Sequence, residues 1–197
     1  MLAADNLFLP GRLRGISLAL RAGEVTAICG PNGAGKSSLL SCLAGLLWPV
    51  SGAVTLDQAP LHSLHPEASA RALGYLPQTP EVAWDISVQT LASLGRLPWR
   101  TSAAEDSAAV DAALAALDLP AFAHRPVSQL SGGERARALL ARVLSGTPRW
   151  LLADEPLANL DLAHQLALLG HLRSCATQGM GVVLVLHDLA LAMNHAD

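Results

Sequence analysis

The chain has one lysine; every other basic residue is arginine. Basic residues number 13 against 16 acidic ones, for a formal charge of −3, and no basic cluster stands out. That balance removes the electrostatic ground for a nucleic-acid partner. Long apolar runs are also lacking. The most continuous, Gly181 to Leu186, falls far short of the ~18 residues that suggest a membrane span. Any membrane role is therefore expected to be peripheral. Cysteine is scarce: Cys29, Cys42 and Cys175 lie in apolar surroundings at no metal-ligand spacing, which predicts buried, reduced thiols and suits a cytosolic compartment. The first residues contain acidic Asp5 and no basic lead-in, so a secretory signal is not expected. Internal repeats and low-complexity tracts are absent beyond an alanine and leucine bias. With 197 residues, 51% of them apolar, one domain is expected, with room for a small subdomain.

The single lysine sits in the most informative stretch. Gly30-Pro31-Asn32-Gly33-Ala34-Gly35-Lys36-Ser37-Ser38 fits the phosphate-cradling pattern G-x-x-x-x-G-K-[ST]. Val25 to Cys29 ahead of it is a short β-prone run. Behind it, Leu39, Leu40, Leu43, Leu46 and Leu47 recur at helical spacing, predicting a helix over 37–47. A strand, a glycine loop and a helix start bring backbone N–H groups and the positive end of a helix onto an anion. Lys36 adds a compact point charge where a guanidinium fork would be bulky and directional. Together these predict nucleotide binding.

Along the rest of the chain, strand pieces are expected at Leu7–Leu9 and Ile16–Leu20, split by Pro10-Gly11, at Val54–Leu56 after a Ser51-Gly52 turn, and at Leu73–Leu76. From 79 to 145 strand patterns disappear. A short helix is expected over Val88–Gly95. Ser102 with Glu105, and Ser131 with Glu134, form capping boxes that open helices running to Leu117 and Ser145. Strand patterns resume with Trp150–Ala153 and Gly181–Leu186. Between them a helix is predicted from Leu162 to Thr177 with Asp161 as its N-cap, and a last helix starts after Asp188. Four apolar strands thus end in polar residues: at Gly30, Gln78, Asp154-Glu155 and His187. In an open parallel sheet, ligands bind beyond the carboxyl ends of the strands, so these residues are expected around one site.

Phosphoryl transfer to water needs phosphate charge neutralised, a metal, and an oriented nucleophile. Lys36 and the loop amides suit the first task. Ser37 and Asp154 suit Mg²⁺, which keeps several waters and takes few protein ligands. Glu155 is the candidate for polarising the attacking water, and His187 for a hydrogen bond to the terminal phosphate. Ser131, Gly132 and Gly133 open another helix N-terminus, a second anion site in the helical stretch.

Leu130-Ser131-Gly132-Gly133-Glu134 reads as the signature sequence of ATP-binding cassette (ABC) ATPases, and the chain resembles that family in order and over nearly its whole length. Gly30 to Ser37 resembles the Walker A loop, Gln78 the Q-loop glutamine, Leu151 to Glu155 Walker B with its catalytic glutamate, Leu157 to Asp161 the D-loop, and His187 the switch histidine. The resemblance implies an α/β fold: a P-loop NTPase core with a mostly parallel sheet, N-terminal antiparallel β pieces and an inserted helical subdomain. Residues 1–78 and 146–197 would form the core and 79–145 the insert. It implies ATP held by residues 30–38 and, across a head-to-tail homodimer, by Ser131, Gly132 and Gly133 of a second copy. Mg²⁺ would be held by Ser37, Gln78 and Asp154, with Glu155, His187 and Gln78 in catalysis. It further implies integral-membrane permease subunits, an indirect periplasmic or extracellular substrate-binding protein, and a peripheral place on the cytoplasmic face of the bacterial inner membrane. Family members stack adenine on an aromatic near the N-terminus; here only Phe8 is available. Ala158 stands where many D-loops have serine. Members continue beyond the switch histidine, so a truncated C-terminus is expected at Asp197. Val88 to Arg100 resembles importers of iron chelates, haem and cobalamin, and Gln165 to Gly179 looks most like the cobalamin importer's ATPase. Other transport systems, exporters included, and soluble ABC ATPases remain as alternatives.

Overall fold

The computed structural model describes residues 1–79, 82, 84–158 and 160–197. The strands are β1 (Leu2–Leu9), β2 (Leu13–Leu20), β3 (Val25–Ile28), β4 (Ser51–Leu56), β5 (Ala59–Pro60), β6 (Leu73–Leu76), β7 (Trp150–Asp154) and β8 (Gly181–Val185). The helices are α1 (Lys36–Leu43), α2 (Pro66–Ala72), α3 (Val88–Ser93), α4 (Ala103–Ala116), α5 (Gly132–Ser145), α6 (Leu162–Thr177) and α7 (Leu189–His195). Two sheets form. One is antiparallel in the order β2-β1-β4-β5; the other is parallel in the order β3-β8-β7-β6.

The parallel sheet is buried on both faces, and its strands show why they read as unbroken apolar runs. Trp150, Leu152, Val183 and Val185 share one core with α1 and the antiparallel sheet. Their alternates Leu151, Ala153, Val182 and Leu184 enter a second core with α3, α4, α5 and α6. This is the period-two alternation of a strand, with both sides apolar. The mostly parallel core with N-terminal antiparallel strands matches the expected fold class.

Both capping boxes form. Ser102 Oγ accepts from the Glu105 N–H at 3.3 Å while the Glu105 carboxylate accepts from the Ser102 N–H at 2.8 Å. Ser131 and Glu134 repeat the arrangement at 3.3 and 2.8 Å. Asp161 caps α6 by accepting from the His164 N–H at 2.9 Å. Arg96, buried under α4 and α5, donates to Asp106 Oδ1 at 2.8 Å and to the Ser145 carbonyl at 3.1 Å, and lies over the Trp99 ring at 4.7 Å. It ties the ends of these helices together.

Several expectations are corrected. The helix after the phosphate loop stops at Leu43 rather than Leu47. Gly45 adopts φ +71, the Gly45 N–H bonds back to the Cys42 carbonyl and the Leu46 N–H to the Ser41 carbonyl. Paired 5→2 and 6→1 bonds around a left-handed glycine end a helix whatever apolar residues follow. Ser51-Gly52 is not a turn but the start of β4. Gly52, at φ +88, lies where a Cβ would sit 2.4 Å from the Asn6 carbonyl oxygen, at an irregularity in the β1–β4 pairing. The N-terminal strands are longer than their apolar pieces suggested. Of the cysteines only Cys42 is fully buried; Cys29 and Cys175 are half-buried, and all three are free.

Candidate functional site

The parallel order β3-β8-β7-β6 puts four strand ends on one edge of the sheet, as the polar endings predicted. There a cleft of about 510 Å³ is lined by Asn32, Gly33, Gly35, Lys36, Ser37, Ser38, Gln78, Glu155 and His187, together with Arg12. Its size suits a nucleotide-sized ligand.

The loop leaving β3 turns back on itself. Gly33 and Gly35 take φ +79 and +88, and the Ala34 N–H bonds the Pro31 carbonyl at 3.3 Å. Lys36 Nζ donates to the Gly30 and Pro31 carbonyls at 2.8 and 2.9 Å, so its stem is packed and its charge is held over the loop. A Cβ on Gly35 would stand 2.3 Å from the Arg12 carbonyl oxygen, because the β1–β2 hairpin presses against the loop at this point. Only glycine fits both that conformation and that approach. Ser37 and Ser38 follow in the first turn of α1, where backbone N–H groups lack helical partners.

Asp154 closes β7 and is buried, yet its Oδ1 has no hydrogen-bond partner. A buried carboxylate oxygen left unpaired is expensive unless a cation or water meets it. A divalent cation fits donors of this kind, a carboxylate, a hydroxyl and an amide oxygen; Ser37 lines the phosphate cleft, Asp154 the neighbouring cavity, and Gln78 borders both. Glu155 follows in the left-handed region at φ +53, unusual for a residue with a Cβ. Its N–H bonds the Val185 carbonyl at 3.2 Å, which anchors the turn to the neighbouring strand. Its carboxylate lines the cleft, and Oε1 lies 2.5 Å from His187 Nε2. The two residues are 32 positions apart, brought together because β7 and β8 are neighbours in register.

Gln78 lines this cleft and also a second cavity of about 230 Å³, shared with Asp154, Glu155 and Gly132. Ser131 and Gly133 line neither. The helix start at Gly132 thus opens on a different cavity from the one that holds Lys36. Ala158, in the predicted D-loop segment, borders that second cavity, while Asn159 lies outside the described residues. The sequence reading missed Arg12. Its one signal was a basic residue just past the Pro10-Gly11 turn, which nothing in the local pattern connects to the phosphate loop.

A family profile described as "ABC transporter" matches residues 13–158. The chain is 47% identical over 184 residues to the "Hemin import ATP-binding protein HmuV" of Nocardia farcinica, covering 92% of this chain and 64% of that one. A protein of the same name from Streptomyces coelicolor is 46% identical over 98% of this chain and 70% of its own length. The "Cobalamin import ATP-binding protein BtuD" of Halobacterium salinarum is 39% identical over 92% of this chain and 46% of its own length. The chain therefore spans between about half and about two-thirds of these relatives. Among solved structures, an ATP-binding subunit of an ABC transporter superposes with a TM-score of 0.89 at 25% identity, covering 100% of this chain and 83% of that one. A dimeric post-hydrolysis ATP-binding cassette bound to ADP and Pi superposes with a TM-score of 0.87 at 26% identity, covering 98% and 90%.

Proposed function

Because this chain belongs to the ABC transporter family, we propose that it is the ATP-hydrolysing, energy-coupling subunit of an importer. The observation that carries the reading is the single cleft gathering Lys36, Ser37, Gln78, Glu155 and His187. Lys36 and the amides of residues 30–38 hold the phosphates of ATP. Mg²⁺, held by Ser37, Gln78 and Asp154, supplies charge neutralisation at the phosphates. Glu155 orients the attacking water and draws off its proton, and the left-handed turn keeps its carboxylate in the cleft. His187 holds that carboxylate from the next strand until a terminal phosphate offers a second partner. Gln78, bordering both cavities, connects the cation site to the helical insert of residues 79–145.

Gly132 and Gly133 open α5 with first-turn amides that have no helical partner, Ser131 caps them, and none of the three lines this chain's own phosphate cleft. The reading that accounts for them is a head-to-tail homodimer, each copy closing over nucleotide held by the other. A dimeric cassette among the structural neighbours supports it. Integral-membrane permease subunits are the remaining partners, with a substrate-binding protein acting through them. The names of the similar import proteins support this, and Trp84 and Leu97, at 76% and 77% exposed, give the insert apolar groups for such contacts. The place of action is the cytoplasmic face of the inner membrane, peripherally. Among the described residues no helix is long and apolar enough to cross a membrane. For cargo, the relatives' names favour haem over the cobalamin suggested by residues 165–179, with iron chelates as the wider class.

The test is Glu155→Gln beside Lys36→Ala. Glu155→Gln is expected to bind ATP and hydrolyse it at least about 100-fold more slowly, the scale of lost general-base assistance. It should run as a dimer with ATP in multi-angle light scattering, and Ser131→Arg in the same background should keep it monomeric. Lys36→Ala should lose ATP binding. Wild-type hydrolysis by Glu155→Gln would overturn the mechanism.

A further inference from the structure

A groove of about 460 Å³ opens at the edge of the parallel sheet opposite the phosphate cleft, beside the segments that lead into β7 and β8. The alanines of α4 form one apolar wall, and Arg149 on the rim is already paired with Asp57 at 2.8 Å. Three half-buried side chains with nitrogen or sulfur donors also line it: His171, Cys175 and Met180. Two of them lie one turn apart on α6, with His171 Nε2 3.5 Å from Cys175 Sγ. The third is returned to the helix by the way α6 ends. Gly179 takes φ +102, its N–H bonds the Ala176 carbonyl at 2.8 Å, and the Met180 N–H bonds the Cys175 carbonyl at 3.1 Å. Paired bonds of this kind set the residue after the glycine against the last helical turn, which brings Met180 beside Cys175.

We propose that His171, Cys175 and Met180 bind a soft metal ion, Cu(I), at the C-terminal end of α6. The spacing of the cysteines among themselves does not show such a site, because the partners of Cys175 are a histidine and a methionine. The bite of the pair already suits one ion. With metal–sulfur and metal–nitrogen bonds of about 2.3 and 2.0 Å, two ligands at a tetrahedral angle stand about 3.6 Å apart. The donor set decides which ion. A thiolate and a thioether together select a soft ion such as Cu(I), whereas Mg²⁺ and Ca²⁺ take oxygen. Burial lowers the His171 pKa, so its imidazole is neutral and has a lone pair to give. Burial also raises the Cys175 pKa, so the metal–sulfur bond forms as the thiol proton leaves to solvent. The last turn of a helix favours a cation, and Cys175 sits in the last turn of α6. The site shares no residue with the phosphate cleft and stands independently of the nucleotide reading.

The experiment titrates Cu(I) without oxygen into the wild-type chain in competition with the chromogenic chelator bicinchoninate. The wild type should withdraw a single equivalent per chain. Cys175→Ser should weaken Cu(I) at least about 100-fold, and His171→Gln and Met180→Leu at least about ten-fold each, no less than loss of an outer-shell partner costs a metal site. Cys29→Ser is the control and should leave the affinity unchanged. Leucine keeps the volume and the apolar contact of methionine, so Met180→Leu should melt like the wild type when no metal is present, and circular dichroism checks that every variant folds. X-ray absorption of the loaded wild type should show both sulfur and nitrogen neighbours. Failure of the wild type to compete overturns the proposal, as does wild-type affinity in Cys175→Ser or in Met180→Leu. Zn(II) held at these residues in preference to Cu(I) overturns the choice of a soft ion.

Discussion

Gly35→Ala tests how closely the hairpin and the phosphate loop are fitted to each other. Gly35 has φ +88, and an added Cβ would stand 2.3 Å from the Arg12 carbonyl oxygen and 3.1 Å from Leu13 Cδ2. Holding alanine in the left-handed region costs about 1–2 kcal/mol. The contact must also open from 2.3 Å to the 3.0 Å that Cβ atoms tolerate, a shift of about 0.7 Å against backbone rather than a yielding side chain. Overpacking of this kind adds about 1–3 kcal/mol, giving about 2–5 kcal/mol in all. A domain stable by 5–15 kcal/mol still folds, but its melting temperature should fall by roughly 5–15 °C. Gly33 is the control. It has φ +79 with nothing within 4 Å of its Cβ position, so Gly33→Ala should show the conformational cost alone, about 1–2 kcal/mol. Gly170, within α6 and with open space around it, should gain up to about 1 kcal/mol on becoming alanine. Scanning calorimetry without nucleotide measures all three. Because the displaced residue caps α1, Gly35→Ala should also weaken ATP binding at least ten-fold, since misplacement near 1 Å in a site is worth up to about 100-fold. Equal losses of stability in Gly33→Ala and Gly35→Ala would refute the close approach of hairpin and loop.

Two further outcomes concern the helical insert. Arg96→Met should lower stability by about 2–3 kcal/mol, because it leaves Asp106 and the Ser145 carbonyl without their buried partner, while ATP affinity stays unchanged; an unshifted urea midpoint would refute it. Accepting from the Ser131 N–H and hydroxyl holds the Glu134 carboxyl below its usual 4.5, and hydrogen bonds from Ser102 do the same for Glu105. Lowered folded-state pKa values stabilise the ionised form, so this stability is fully present above pH 4.5 and is lost as pH falls through the folded values. Urea midpoints measured from pH 7 to 3 should therefore drop at the acid end, less steeply in Glu105→Gln/Glu134→Gln; an unchanged slope would refute the assignment.

Much of the site was legible because its chemistry is local in sequence. The phosphate loop, both capping boxes and the Asp161 cap are decided within a few residues, and the structure places them where the spacing said. Strand ends were legible too, since β7 and β8 are apolar on both faces and stop abruptly at charged or polar residues. What escaped was either exposed or assembled from distant parts. Helix α2 buries none of its residues, so it carries no apolar period to read. Leu46 and Leu47 continued the helical spacing of α1, but Gly45 outweighed them by turning left-handed. Arg12 belongs to the site only because the hairpin packs on Gly35, a contact no short-range pattern encodes.

Glu155 shows how the two kinds of information meet. Its position after Asp154 made it the candidate for polarising the attacking water, but position alone does not aim a carboxylate. A residue with a Cβ held at φ +53 is strained unless its surroundings fix it there. Here the fixing comes from β8: the Val185 carbonyl accepts from the Glu155 N–H, and His187, two residues on, meets the carboxylate. Both contacts follow from the Asp154–Val185 register at the end of the parallel pair. The acid is therefore named by its own strand and pointed by the next one, so a change in the β7–β8 register would move Glu155 and His187 together rather than either alone.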